Sequence, residues 1–325
     1  MKESTKVNKG NMSCPTNEND FAIQTFAITK KFGNLTAVDG VDLSIKSGEM
    51  FSLLGPNGAG KTTTIKMLCC LLKPTAGTAT VMGHDIQKEP LAIKEIIDVS
   101  PQETAIAGHL NAWENLALIC GIYGLSKEET RKRSEELLEL MGLTKRAKEQ
   151  ARKFSGGMQR RLSIAMALIS DPQVLFLDEP TLGLDPQARR SMWERIEDLK
   201  GKKTILLTTH YLEEADALAD RIAIIDKGKI IALGTPQELK NSISDKRTMV
   251  VKARNLTPDS IDGLKKMYPE AKKIEGGVEI RANELSFDKI VDFLRSKGAT
   301  IESMSMKEPS LDDVFLQLTG KELRE

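Results

Sequence analysis

Gly55-Pro56-Asn57-Gly58-Ala59-Gly60-Lys61-Thr62 is the stretch that decides the reading of this chain. It has the form G-x-x-x-x-G-K-[ST], in which each position has a mechanical reason. The glycines let the backbone wrap closely around phosphate oxygens, so that several N–H groups point inward. A helix beginning at the end of the loop favours an anion there. Lys61 can reach the β- and γ-phosphates of a nucleotide, and the Thr62 hydroxyl can bind Mg²⁺. Thr63 is counted with the loop as a nucleotide-binding residue. The flanks agree: Phe51 to Leu54 reads as a short apolar strand, and Lys61 to Leu72 as a helix with Ile65, Leu68 and Leu72 on one face. Lys73-Pro74 ends that helix.

Farther on, Val174-Leu175-Phe176-Leu177-Asp178-Glu179-Pro180 reads as a buried strand tipped by two carboxylates. A carboxylate in that place is poorly placed for packing and well placed for a metal. Asp178 is therefore assigned to Mg²⁺, directly or through water. Glu179 follows at once and can orient or deprotonate an attacking water. Between these two elements stands Phe154-Ser155-Gly156-Gly157-Met158-Gln159. A small hydroxyl and two glycines at the start of a helical stretch, Met158 to Ile169, make a second anion-binding surface.

Composition narrows the classes further. The chain has 325 residues, 40% hydrophobic and 29% charged, which suits about two soluble domains. A formal net charge of +1 gives no electrostatic case for nucleic acid or for an anionic membrane. The longest apolar runs, such as Ile222 to Ile225, fall far short of the roughly 18 residues a membrane helix needs. Residues 1–20 are polar, which predicts a disordered tail and no secretory leader. Cys14, Cys69, Cys70 and Cys120 have no metal-ligand spacing and read as reduced packing thiols. Cys69 and Cys70 are expected as neighbours inside a helix.

The rest of the pattern gives an α/β organisation. In residues 21–54, Phe26, Phe32, Val38, Val41, Leu43 and Ile45 alternate with polar residues. Gly33, Gly40 and Gly48 sit between the runs, which predicts short antiparallel strands with one wet face. Residues 103–155 read as a helical subdomain, with an N-cap at Asn111 answered by Glu114. Val174–Leu177, Thr204–Thr209 and Ile222–Ile225 are apolar runs suited to a parallel sheet covered on both faces. Composition shifts near residues 241–247. Beyond it, strands at Met249–Lys252, Val278–Arg281 and Thr300–Ser303 and helices at Pro258–Met267, Ser286–Lys297 and Ser310–Leu318 predict a small α+β domain. A ferredoxin-like βαββαβ unit plus a terminal helix fits that order.

The glycine loop, Ser155-Gly156-Gly157 and the Asp-Glu strand, in this order, resemble the ABC transporter ATPases. The resemblance spans roughly residues 21–240. Gln102 matches the family's glutamine loop, Asp185 in Gly183-Leu184-Asp185-Pro186 the loop after the Asp-Glu strand, and His210 the switch histidine. Phe32 falls where the family places an aromatic that stacks on adenine. Phe154 and Met158 depart from the commoner Leu and Gln. That variant, with Glu308-Pro309-Ser310-Leu311-Asp312-Asp313-Val314-Phe315-Leu316, resembles the ABC-2 or drug-resistance exporters.

The resemblance implies a P-loop NTPase with a RecA-like parallel core sheet, an antiparallel β subdomain, a helical subdomain and a small C-terminal α+β domain over 246–325, regulatory or dimer-stabilising. It implies ATP and Mg²⁺ as ligands, and two copies meeting head to tail, most simply as a homodimer. Ser155, Gly156 and Gly157 of one copy then contact the γ-phosphate held by Lys61 of the other. Asp178, Gln102 and Thr62 serve Mg²⁺, Glu179 the water and His210 the γ-phosphate. A separate membrane permease would dock near Gln102 and residues 103–125, placing the chain at the cytoplasmic face of a membrane. Two other classes stay open on these residues: a soluble ABC ATPase of translation or DNA repair, and a nucleotide-dependent binding module without turnover.

Overall fold

The computed structural model describes residues 20–242, 247–307 and 309–320. The expected tail at 1–20, with Cys14, therefore lies almost wholly outside the described residues.

The chain begins with two long antiparallel strands, β1 (Phe21–Phe32) and β2 (Leu35–Lys46), each of 12 residues. Shorter strands were expected here. Gly40 does not break β2; with φ +62 it sits in an irregularity of the ladder, between the pairs Ile28–Val41 and Lys30–Val38. Gly33 and Gly48 do mark turns. The wholly buried β3 (Met50–Leu54) then leads through the glycine loop into α1 (Lys61–Leu68). This helix stops short of Leu72. Cys69 is its C-cap, Cys70 turns left-handed at φ +57, and the N–H groups of Leu71 and Leu72 return to the Lys66 carbonyl. The apolar periodicity runs on past a helix end that backbone conformation has already set.

Next come β4 (Ala76–Val81), β5 (His84–Asp85), α2 (Pro90–Ile96) and β6 (Ile97–Ser100), then α3 (Ala112–Ile122) and α4 (Lys127–Leu140). Both α3 and α4 start with capping boxes, Asn111 with Glu114 and Ser126 with Glu129. They are followed by α5 (Gly156–Leu168), β7 (Val174–Asp178), α6 (Pro186–Glu197), β8 (Thr204–Thr209), α7 (Leu212–Leu218), β9 (Arg221–Asp226), β10 (Lys229–Gly234) and α8 (Pro236–Ser242).

The central sheet has the order β10-β9-β3-β8-β7-β6, parallel throughout except for β10 at its edge. β3, β7 and β8 are buried along their whole length, as continuous apolar runs require. One face packs with α1 and the antiparallel sheet β2-β1-β4-β5 in a single core that includes Ile23, Phe51, Ile65 and Phe176. The other packs with α3 to α6, joining Leu116, Leu138 and Leu162 to Leu175, Leu177 and Ile205. The loops that follow β3, β7 and β8 thus emerge side by side at the carboxyl edge of one sheet, where open α/β sheets bind ligands.

The C-terminal part runs β11 (Arg247–Arg254), α9 (Pro258–Met267), β12 (Lys272–Ile274), β13 (Gly277–Ala282), α10 (Phe287–Ser296) and β14 (Thr300–Lys307). Its antiparallel sheet has the order β12-β13-β11-β14, the βαββαβ arrangement expected, with the short β12 as its second strand, the one for which the sequence reading named no range. Met249, Val251, Val278 and Ile280 pack against Ile261, Leu264, Ile290 and Leu294. The last helix, α11 (Leu311–Thr319), joins a different core. Leu311, Val314 and Phe315 pack with Leu212, Ala215, Ala219, Leu239 and Leu54.

Candidate functional site

The glycine loop is built by its neighbours. The Gly55 N–H donates to the Thr209 carbonyl at 3.2 Å, continuing the β3–β8 pairing one residue beyond the strand. Gly60 has φ +108, and a side chain there would run into the Ala37 carbonyl, so glycine is required on both counts. No side chain caps α1. Its first N–H groups therefore face the loop and leave an anion-binding helix start. Lys61 is buried. Its Nζ donates to the carbonyls of Gly55 at 2.6 Å and Pro56 at 3.2 Å, and lies 3.0 Å from Glu179 Oε1.

Asp178 ends β7 and accepts two hydroxyls on Oδ1, from Thr62 at 3.1 Å and Thr208 at 2.5 Å. The next residue, Glu179, has φ +51, a left-handed conformation that is costly for a glutamate. Its N–H is held by the Thr208 carbonyl and hydroxyl, both at 3.1 Å. Glu179 Oε2 meets His210 Nδ1 at 2.7 Å. Burial alone pushes the Glu179 carboxyl up; the His210 hydrogen bond and the Lys61 charge outweigh it and hold the group below its ordinary range. An ionised carboxylate only accepts, so His210 Nδ1 carries the proton.

Lys61, Thr62 and Glu179 border one cleft of about 460 Å³. Phe32, Pro56, Asn57, Gly58, Gly60, Lys61, Thr62, Thr63, Gln102 and Glu179 line it. Gly55 and Ala59 lie buried beneath the loop. Phe32 stands at the rim, 48% exposed, with Lys30 Nζ 5.2 Å from its ring centre. The cleft thus offers an apolar ring at one end, a cradle of N–H groups and a lysine at the other, and the Glu179 carboxylate beside the lysine.

Ser155, Gly156, Gly157 and Asp185 do not border it. Ser155 caps α5, its Oγ accepting the Met158 N–H at 3.3 Å, and Asp185 caps α6 through the N–H groups of Gln187 and Ala188. Gly156 faces a second cleft of about 410 Å³, lined also by Gln102, Glu103, Gln159, Arg160 and Leu182 to Leu184. The two unusual residues of this segment share a partner: the Arg146 guanidinium lies 5.8 Å from the Phe154 ring centre, and its Nη1 is 3.4 Å from Met158 Sδ.

Arg160 was not singled out from the sequence, where an arginine in an amphipathic helix reads as surface. It is buried at 3% exposure. Its guanidinium donates to five backbone carbonyls, those of Pro101, Gln102, Asp178, Glu179 and Pro180. One side chain of α5 therefore ties the Gln102 loop to the strand end that carries both carboxylates. No spacing rule announces such a residue, because all its partners are backbone atoms.

Known proteins resemble this chain in sequence and in fold. The ABC transporter family matches residues 38–182, and the C-terminal domain of DrrA1-3-like ATP-binding proteins matches residues 234–319. The daunorubicin resistance ATP-binding protein DrrA3 of Streptomyces coeruleorubidus is 39% identical over 317 residues, covering 94% of this chain and 98% of that protein. The linearmycin resistance ATP-binding protein LnrL of Bacillus subtilis (strain 168) is 38% identical, covering 93% of this chain and all (100%) of that one. The dimeric post-hydrolysis state of the ATP-binding cassette MJ0796 bound to ADP and Pi superposes with a TM-score of 0.60 at 30% identity, covering 66% of this chain and 98% of that one. The chain belongs to the ATP-binding, ATP-hydrolysing subunits of the ABC transporters, in their drug-resistance-like branch.

Proposed function

We propose that this chain powers export through a separate membrane permease, with each hydrolysis site completed by a second copy of the chain. The observation that carries the second half is the separation just described. Lys61, Thr62 and Glu179 border one cleft, with His210 held on Glu179, whereas Gly156 borders another and Ser155 only caps its own helix. A loop of that kind has a helix N-terminus to offer an anion and, within its own chain, no access to the phosphates. A head-to-tail pair supplies it from the partner.

In this reading the loop N–H groups and Lys61 hold the β- and γ-phosphates. Nucleotide entry draws Lys61 Nζ away from Glu179 Oε1, since phosphate oxygens compete for the same ammonium group. Glu179, kept ionised and aimed by His210, then orients the attacking water and takes its proton. Phosphoryl transfer asks mostly for positioning and charge stabilisation. The oxygens of Thr62 and Asp178, together with Gln102, suit a Mg²⁺ ion that keeps waters and phosphate oxygens in its remaining positions. No group of three or more His, Cys, Asp or Glu among the described residues forms a metal cage, which also suits an ion bound mainly by nucleotide and water. When bound, Mg²⁺ neutralises charge on the transferring phosphate.

The relatives' names supply the transport half: resistance to daunorubicin and to linearmycin, and in Cupriavidus metallidurans the Nod factor export ATP-binding protein I, 39% identical over 311 residues. Among the described residues no helix is long and apolar enough to cross a membrane, and in this reading a separate permease supplies the membrane path. A groove of about 220 Å³ beside the Gln102 loop, lined by Asp98, Ala105, Ile119, Ile122 and Tyr123, is the docking surface in this reading. Residues 21–240 form the ATPase domain and 246–325 an accessory domain. The working site is the cytoplasmic face of the membrane. Tagged Glu179→Gln, loaded with ATP and purified from solubilised membranes, should bring down a polytopic membrane protein in stoichiometric amount. Recovery from the soluble fraction alone would refute the transport role.

A further inference from the structure

We propose that Glu214 is a positioning residue for hydrolysis: it ties Thr181, two residues past Glu179, to the helix that follows His210. The proposal rests on Glu179 and His210 having the roles given above. Glu214 lies on α7 and is wholly buried. Its Oε1 accepts the Thr181 hydroxyl at 2.8 Å and the Trp193 indole N–H at 3.1 Å. Thr181 is also wholly buried, at the start of the loop that runs from Pro180 to Asp185.

The connection matters because of what it closes. Glu179 sits at a left-handed residue, where the chain turns out of β7. Such a conformation persists only when its surroundings hold it on both sides. Upstream, Thr208 holds the Asp178 carboxylate and the Glu179 N–H. At the residue itself, His210 holds the carboxylate. Downstream, Glu214 holds Thr181. All three anchors come from one stretch, residues 208–214. Through Glu214 the carboxylate strand end and the histidine move as one piece, and the loop 180–185 moves with them.

Packing alone does not account for a carboxyl here. Burial pushes the Glu214 pKa above its ordinary value, against hydrogen bonds from Thr181 and Trp193. Glu214 makes no ion pair among the described residues. An apolar side chain of similar size would fill the space without that desolvation cost. What a carboxyl adds is an acceptor for Thr181.

The test uses the full chain and steady-state ATPase kinetics. Thr181→Val removes the hydroxyl while keeping the volume. It should lower kcat about 10-fold or more and leave the KM for ATP within about twofold. Glu214→Ala should lower kcat similarly, and Glu214→Gln, which keeps the acceptor oxygen, should recover most of it. Adding Thr181→Val to Glu214→Ala should cost little more, since both break one link. Trp193→Phe breaks the other hydrogen bond and should stay near wild type. The proposal is overturned by wild-type kcat in Thr181→Val, by a rise in KM without a fall in kcat, or by an equal fall in Trp193→Phe. If Glu214→Ala does not fold, Thr181→Val decides alone. Glu179→Gln is measured alongside: wild-type turnover there removes the general-base role itself, whereas an inactive Glu179→Gln with a fully active Thr181→Val removes only the Glu214 link.

Discussion

The two glycine-rich turns of the ATPase part, 55–60 and 155–157, each lead into a helix N-terminus and live in opposite surroundings. The first is enclosed. Lys61 and Glu179 are buried together, Asp178 accepts from two threonines, and His210 closes the circuit. The second is open. A Cβ at Gly156 would meet nothing within 4 Å, and the Ser155 hydroxyl satisfies only its own helix. The enclosed turn holds fixed charges whose mutual attraction is strengthened by exclusion of water. On the proposed function, the open turn is a half-site. In that proposal, a chain with one of each prepares the chemistry and needs a second copy to finish it.

Substitutions can break this contrast at either end. Lys61→Ala should have the largest effect, abolishing tight ATP binding and turnover together; unchanged affinity by equilibrium titration would refute the assignment of the first turn. Glu179→Gln should bind ATP and lose turnover by roughly 10²-fold or more, accumulating as a closed dimer by light scattering. Gly156→Asp sharpens the contrast. The open space at Gly156 lets the chain fold normally, so its monomer should bind ATP as wild type does. A carboxylate facing the partner's γ-phosphate should then prevent closure and cut turnover about 100-fold.

Acid should reveal the enclosed network more gently. Glu179 has a folded pKa below its ordinary 4.5, so its ionised form stabilises the fold. That contribution is complete above about pH 4.5 and is lost as pH falls through the depressed folded value. Acid unfolding of Glu179→Gln should therefore be the less steep of the two below pH 4.5; identical profiles would deny the coupling. Phe32→Ala should do least. Half-exposed at the rim, Phe32 should contribute about 1 kcal/mol to adenine stacking, read as a few-fold rise in Kd.

The enclosed half was legible in the sequence because its residues sit at ends of apolar runs. Leu54 before the loop, Asp178 after Leu177 and His210 after Thr209 all close strands that lie next to one another in the sheet. The order of those strands, with β3 between β8 and β9, was not legible, since pairing of parallel strands is non-local. Arg160 and Glu214 were missed for the same reason. Their partners are Pro101, Pro180, Thr181 and Trp193, distant in sequence and gathered only by the fold. Leu72 misled in the opposite direction, because its spacing suits α1 while Cys70 has already turned the chain away. In the C-terminal part the strands at Met249–Lys252 and Val278–Arg281 were legible, but nothing local showed that Val314 and Phe315 would pack against α7 rather than their own sheet.

Mixing two dead variants tests the central claim most directly. Lys61→Ala keeps an intact 155–157 turn, and Gly156→Asp keeps an intact phosphate cleft. In an equimolar mixture, head-to-tail pairs contain one complete site. The account predicts that the mixture hydrolyses ATP at a rate well above the sum of the two proteins measured apart. A mixture as inactive as its components, with Gly156→Asp still binding ATP, would contradict it.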